Sequence, residues 1–331
     1  MKRFSVVIPV FNRPNEVLEL MESLQAQSNK NFELIVVEDG STEKSDKIIA
    51  QFPEIASSYF FKENSGPGDS RNFGMAKAKG EYILFFDSDC VIPPQYFEVL
   101  EASLNKHPLD AFGGPDNADV SFTDVQKAIN YAMTSIFTTG GVRGKKNKLD
   151  NFQPRSFNMG IKKEVYAKVG GFSDIHPGED PDLSYRIMDA GFRTGLIEEA
   201  FVYHKRRIDF SKFIKQVYKF GTVRPILMKW YPSRTKLVYF FPALFLTGSL
   251  FLLILGLNTN SIFLGPLFAF ALLLFIDATQ KTKNIKIAAM AVLASFIQLY
   301  SYAYGFIKSY VKIHLLKQEE RKAYPDFFFF K

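Results

Sequence analysis

Short apolar runs alternate with stretches of helical periodicity through the first part of the chain. Phe4–Val10, Phe32–Val37, Tyr59–Phe61 and Tyr82–Phe86 are apolar and of strand length. Runs this continuous suit strands buried on both faces, as in a parallel sheet covered by helices. Between them, Val17, Leu18, Leu20, Met21 and Leu24 place a helix over Asn15–Gln27. Glu43–Phe52 reads as a short helix, and the loop Asn64–Asn72 opens another that runs to about Lys79. Strands alternating with helices predict right-handed βαβ units and a mainly parallel, Rossmann-like sheet of the α/β class. A helix over Gln95–Asn105, a strand over Asp110–Gly114 and a helix over Phe122–Thr138 follow, with a basic loop at Gly140–Asp150.

From Phe210 the pattern changes. Phe213, Ile214, Val217, Tyr218 and Phe220 lie at helical spacing among Lys212, Lys215 and Lys219, and Arg224, Lys229, Trp230, Tyr231, Arg234 and Lys236 extend the mixture. This predicts an amphipathic helix on an anionic membrane surface. Nucleic acid, the other partner of basic-aromatic stretches, is excluded by what comes next. Leu237–Leu257 and Ile262–Ile276 are almost wholly apolar, and the first has the roughly 20 residues that a bilayer needs. Their connection, Asn258–Ser261, carries no charge, whereas Lys281, Lys283 and Lys286 follow the second. The positive-inside rule makes them a hairpin with both outer ends in the cytoplasm. For Ile285–Ile307 both readings stay open: Ser295, Gln298 and Ser301 weaken it as a span, and the basic tail after it argues for a cytoplasmic end.

Composition adds little to this picture. The 331 residues carry a formal charge of +7 and are 15% aromatic, and a mean hydropathy of −0.04 averages a polar beginning with an apolar end. With Cys90 the single cysteine, no disulfide within the chain is possible, which fits a reducing compartment. Met1–Ser5 runs straight into a strand, so no signal peptide is expected.

Candidate chemistry gathers at the predicted strand ends. Tyr82–Phe86 stops at Asp87-Ser88-Asp89; in an extended Asp-x-Asp both carboxylates point the same way, so they can share a hard cation with a diphosphate. The second strand ends in Glu38-Asp39-Gly40, able to accept from ribose hydroxyls or a base N–H. The Gly66/Gly68 loop can bring backbone N–H groups to a ligand, with Arg71 as a diphosphate fork. Singly, each of these is also an ordinary turn or a solvated residue. Open α/β sheets hold ligands at the carboxyl ends of their strands, which is where the groups accumulate.

Val6–Asn12, Val36–Ser41, Arg71–Gly74 and Phe86–Asp89 occur in an order that resembles the N-terminal half of a glycosyltransferase family 2 enzyme with the GT-A fold. Phe157–Gly160, Val169–Phe172 and Gly178–Arg186 resemble its acceptor half, so the likeness runs from about Phe4 to Phe220. The chain departs at Glu38, where the family usually has Asp, but keeps the carboxylate. The resemblance implies a nucleotide-sugar donor, UDP-linked in the expected case, bound with Mn²⁺ or Mg²⁺. Glu38 and Asp39 would lie near the nucleoside and Arg71 near the diphosphate, with Pro9, Gly66, Asp87 and Arg207 completing the donor site. Asp89 and His204 would hold the metal, and Asp180 would be the general base, its pKa raised by burial or by Glu179 or Asp182. Arg206 and Arg207 can alternatively face anionic lipid.

The expectation is therefore an inverting, metal-dependent hexosyltransferase at the inner membrane, with its catalytic domain in the cytoplasm and a lipid-linked or growing saccharide as acceptor. Its expected parts are residues 1–208, an interfacial stretch at 209–236 and a membrane portion at 237–331. A polyprenyl-phosphate sugar transferase is the first rival, although Cys90–Pro94 lacks the Leu-Gln such enzymes carry after the second Asp. A processive synthase would need a compact Gln-x-x-Arg-Trp motif, and Gln216, Arg224 and Trp230 are too scattered. A catalytically silent membrane scaffold is the rival from another class.

Overall fold

In the computed structural model, which describes residues 2–117, 122–140, 152–204 and 209–329, the apolar runs become strands. In chain order the elements are β1 (Phe4–Val10), α1 (Pro14–Gln25), β2 (Phe32–Asp39), α2 (Asp46–Ile49), β3 (Ser57–Lys62), α3 (Pro67–Lys77), β4 (Tyr82–Phe86) and β5 (Cys90–Val91). Next come α4 (Tyr96–Lys106), β6 (Ala111–Gly113), β7 (Asp116–Asn117), α5 (Asp124–Thr134), α6 (Ile136–Thr139), β8 (Asn158–Lys162), α7 (Lys163–Val169) and α8 (Glu179–Asp189). The chain continues through β9 (Thr194–Leu196), β10 (Val202–His204), α9 (Phe210–Trp230), α10 (Phe241–Asn258), α11 (Gly265–Thr282) and α12 (Ile285–Tyr310). Two units result. The first is Met1–Asp119 with Asn147–Lys205 and Asp326–Lys331, and the second is Val120–Lys146 with Arg206–Pro325.

The first unit is built on a sheet of order β3-β2-β1-β4-β8-β6-β9. β3, β2, β1 and β4 are parallel, as the alternation of strand and helix requires. β8 enters antiparallel to both β4 and β6, and β9 pairs parallel with β6. Successive residues point to opposite faces. Val6, Ile8, Leu34, Leu84 and Phe86 therefore pack with Leu20, Phe97 and Leu100 of α1 and α4. Val7, Ile35, Ile83 and Phe85 pack on the other side with Met75, Val165, Leu183 and Ile187 of α3, α7 and α8. β1, β2 and β4 run in parallel, so the segments that follow them emerge at one edge. Beside that edge a small sheet of order β5-β10-β7 forms, from strands too short to show in the sequence pattern.

In the second unit α12 packs against several neighbours. Ile287, Ala288 and Ala291 meet Ala128 and Tyr131 of α5 and Leu274 and Ala278 of α11, while Ala294 joins Phe213 and Val217 of α9. The single helix expected over Phe122–Thr138 is instead two. Ser135 leaves the helix in an extended conformation and its hydroxyl accepts the Phe137 N–H, starting α6. Such local bonds let serine offer the backbone an alternative to continuing the helix. The predicted segment Ile285–Ile307 is one continuous helix. Leu237–Asn258, Ser261–Thr282 and Ile285–Leu315 are each long and apolar enough to cross a membrane.

Candidate active site

Asp87 and Asp89 follow β4, and the small sheet brings the distant His204 to them. β10 pairs antiparallel with β5, setting His204 opposite Cys90. Its Nε2 lies 3.2 Å from Asp89 Oδ1 and 3.8 Å from Asp87 Oδ2. The ring is stacked on Phe157, with centroids 5.0 Å apart and planes 19° from parallel. The other Asp89 oxygen accepts from the Arg13 guanidinium. Burial alone would raise the Asp89 carboxyl, but His204 and Arg13 outweigh it and hold Asp89 well below the usual range. The Asp89 carboxylate is the kind of donor that Mn²⁺ or Mg²⁺ takes, and the His204 nitrogen facing it adds a second donor atom of the set. Cys90 also lies within reach. Burial, with Asp89 and Asp87 adding, raises its thiol well above the ordinary range, and its Sγ turns to the Phe157 carbonyl at 3.5 Å. A neutral thiol is a poor ligand for such cations, and Cys90 serves as a packing residue.

Arg71 joins this group to a second one. It is buried on α3, and its Nη2 donates to Asp87 Oδ1 at 2.7 Å while Nη1 reaches Glu179 Oε1 at 3.5 Å. His176 Nδ1 bonds the same Glu179 oxygen at 2.8 Å. Burial opposes ionisation of Glu179, but His176 and Arg71 overcome it and hold the group low. Asp180, at the N-terminal turn of α8, accepts the Ser156 N–H on Oδ2 at 3.1 Å. Its Oδ1 is buried and has no hydrogen-bond partner among the described residues, nor has Arg71 Nε. Burial and the neighbouring Glu179 charge raise Asp180 to about 6. Glu179 is thus the acid that tunes Asp180. Asp182, the other candidate, is turned away into a bond with Arg186 at 2.7 Å.

The acids after β2 are engaged differently. Glu38 is fully buried and accepts from the Ser41 hydroxyl, from Ser45 N–H at 2.9 Å and from Tyr59 OH at 3.3 Å. Those bonds, with one from the Ser45 hydroxyl at 2.5 Å, tie Glu38 to the loop after β2. Asp39 accepts from Lys62 at 2.6 Å and from the N–H groups of Ser65 and Gly66 at 3.0 and 2.9 Å, so it fixes the loop that opens α3. Gly66 sits there with φ +92°, a conformation side chains disfavour. Pro9 is opposite Val37 in the β1–β2 register, one residue before the end of β1. Arg207 and most of the basic Gly140–Asp150 loop lie outside the described residues. Arg13, His176, Ser156 and Phe157 were not expected in the site by these roles; the turn Asn12-Arg13-Pro14 after β1 was the available signal for Arg13.

Comparison with known proteins places this geometry in a family. Residues 5–170 match the model of glycosyl transferase family 2, and residues 157–316 that of glycosyl transferase family group 2. An uncharacterized glycosyltransferase of Rickettsia typhi is 34% identical over 193 residues, 56% of this chain and 58% of that one. One from Rickettsia bellii is 44% identical over 88 residues, 26% of this chain and 13% of the other. The chain thus spans less than two thirds of the length of these curated relatives. A mannosyltransferase from Pyrobaculum calidifontis, solved with GDP-Man and Mn²⁺, superposes with a TM-score of 0.59 at 15% identity, covering 96% of this chain and 88% of that one. The chain belongs to glycosyltransferase family 2 and has its GT-A fold.

Proposed function

We propose that this protein is an inverting, metal-dependent glycosyltransferase. It moves a sugar from a nucleotide-sugar donor to a hydroxyl of a lipid-linked or growing saccharide at the cytoplasmic face of the inner membrane, in cell-surface glycan synthesis. The observation that carries the reading is the bridge made by Arg71. It ties Asp87, beside the Asp89–His204 pair, to Glu179, beside the raised Asp180 carboxyl with its open oxygen. A cation-holding group and a base are thereby set on either side of one buried guanidinium.

In this reading Asp89 and His204 would hold Mn²⁺ or Mg²⁺, whose charge would offset that of the diphosphate. Asp39, Gly66 and Pro9 line the donor pocket, with Glu38 behind them holding the loop in place. Arg71 would serve the diphosphate, with Asp87 reaching it through the cation, and Arg207, outside the described residues, is proposed as a further donor-binding group. Asp180 takes the proton from the acceptor hydroxyl as that oxygen bonds to the anomeric carbon. The bond from that carbon to the phosphate oxygen breaks, and the nucleoside diphosphate leaves with the electron pair. One displacement inverts the centre. Residues 1–208 hold the chemistry, 209–236 lie against anionic lipid, and α10 and α11 cross the membrane as a hairpin, presenting the domain to an acceptor there. Exposed apolar side chains support the crossing: Phe251 is 60% exposed and Phe268 73%.

A panel of UDP-, GDP- and dTDP-sugars, read as nucleoside diphosphate release by the full chain with Mn²⁺ or Mg²⁺, tests the proposal. Release from at least one donor, abolished by a chelator, is expected. Failure of every donor both to bind and to turn over would overturn it.

A further inference from the structure

The two ends of the membrane portion fix how many times the chain can cross. Asp326–Lys331 belong to the first unit, which the chain leaves after Lys205. Within that unit Phe328 forms an antiparallel bridge with Ile175. His176 N–H donates to the Phe327 carbonyl at 2.7 Å, and Phe329 N–H to the Asp174 carbonyl at 3.0 Å. The Phe327 side chain is buried, and the Phe329 ring lies 2.7 Å from where a Cβ on Gly66 would stand. A polar sheet domain stays on one side of a bilayer. A chain that leaves it and later pairs with it again has crossed an even number of times. Among the described residues three helices qualify as spans, so they cannot all cross.

Packing within the second unit says which one stays. A Cβ on Gly221 of α9 would come 2.1 Å from the Tyr302 carbonyl of α12, and one on Gly305 of α12 2.4 Å from the Tyr218 carbonyl of α9. His314, beyond α12, reaches the Pro225 carbonyl of α9 at 2.9 Å. α12 is therefore pressed along α9, whose Lys212, Lys215 and Lys219 are exposed. An α12 that crossed would carry these lysines toward hydrocarbon, at about 2.5–3.5 kcal/mol each near the midplane. Of its apolar stretch, 33% is buried against other helices, against 11% for each of the other two candidates. Lys281, Lys283 and Lys286 precede or begin it, and Lys308, Lys312 and Lys317 end or follow it, so both ends favour the same cytoplasmic side.

We propose that α12 does not cross: it lies with α9 along the lipid headgroup interface on the catalytic side, and the chain crosses twice, through α10 and α11. The count of two rests on the hairpin reading above; the side of α12 rests on the returning tail. Variants of the full chain in cell membranes, each with one added cysteine, test it, because Cys90 is buried and gives no background in the folded protein. Lys47→Cys marks the catalytic domain, and Asn260→Cys, Lys283→Cys and Gln318→Cys mark the hairpin tip and the two ends of α12. A membrane-impermeant maleimide is applied to spheroplasts and to inverted vesicles. The expected result is labelling of 47, 283 and 318 from one side and of 260 from the other. Labelling of 318 from the side opposite 283 means that α12 crosses and overturns the proposal. Labelling of all four from one side means that α10 and α11 do not cross and overturns the count of two.

Discussion

A carboxylate that is to take a proton near neutral pH must hold it more tightly than a free aspartate does. Asp180 meets this condition through burial and the charge of Glu179, which together raise it to about 6. Its basic form is lost as pH falls through that value, so kcat should fall below about pH 6. Glu179→Gln removes the charge that favours the protonated form; the acid limb should then move to lower pH, and an unmoved limb in the kcat–pH profile would show that Glu179 does not tune the base. Asp89→Asn should act elsewhere, abolishing the cation dependence of nucleoside diphosphate binding in calorimetry with and without chelator. Equal affinity in both conditions for the unsubstituted protein would sink the metal assignment. The position of Asp87 and Asp89 at a strand end was legible because the motif follows an unbroken apolar run, whereas His204 was pointed to by the family resemblance. Arg13 and His176 were not expected in the site: Arg13 meets its partner 76 residues away, and the turn Asn12-Arg13-Pro14, its one local signal, says nothing of that partner. The bonds to Glu38 were not legible either: Ser41 and Ser45 curl back to it, a loop geometry that no periodicity encodes.

Among the elements, β1, β2 and β4 could be read directly because a strand buried on both faces leaves an unbroken apolar run. β5, β7 and β10 have only 2, 2 and 3 residues, below any usable period, yet they deliver His204 to Asp89. The helix pair α9–α12 was half legible: the amphipathic face was visible, its partner was not. The partner is identified by two glycines that let the backbones approach. Gly305→Ala would set a methyl group 2.4 Å from the Tyr218 carbonyl, and overpacking of this kind costs about 1–3 kcal/mol. Gly221→Ala should behave alike. Gly248→Ala in α10 meets nothing within 4 Å and should leave thermal unfolding in detergent unchanged or slightly raised, since alanine favours helix. Equal melting of all three variants would show that the α9–α12 contact is not tight.

The whole molecule joins a GT-A domain to helices whose surface suits lipid. Leu250, Ile254 and Leu257 of α10 are 50%, 60% and 78% exposed, apolar area that water would not leave uncovered in a monomer. Alkaline carbonate should therefore leave the protein in the membrane pellet and detergent should extract it. Recovery in the carbonate supernatant would mean that α10 and α11 do not cross.

The account stands most directly on the division of labour between the two acidic groups. In a general-base mechanism Asp180 matters to the transition state and little to the bound donor, so Asp180→Asn separates the two. Donor affinity and sugar transfer measured side by side for the full chain and this variant give the decision. The account predicts nearly unchanged donor and cation affinity with a fall in kcat of about 10²–10⁴-fold. Lost donor affinity with turnover retained would contradict it and make Asp180 a donor ligand.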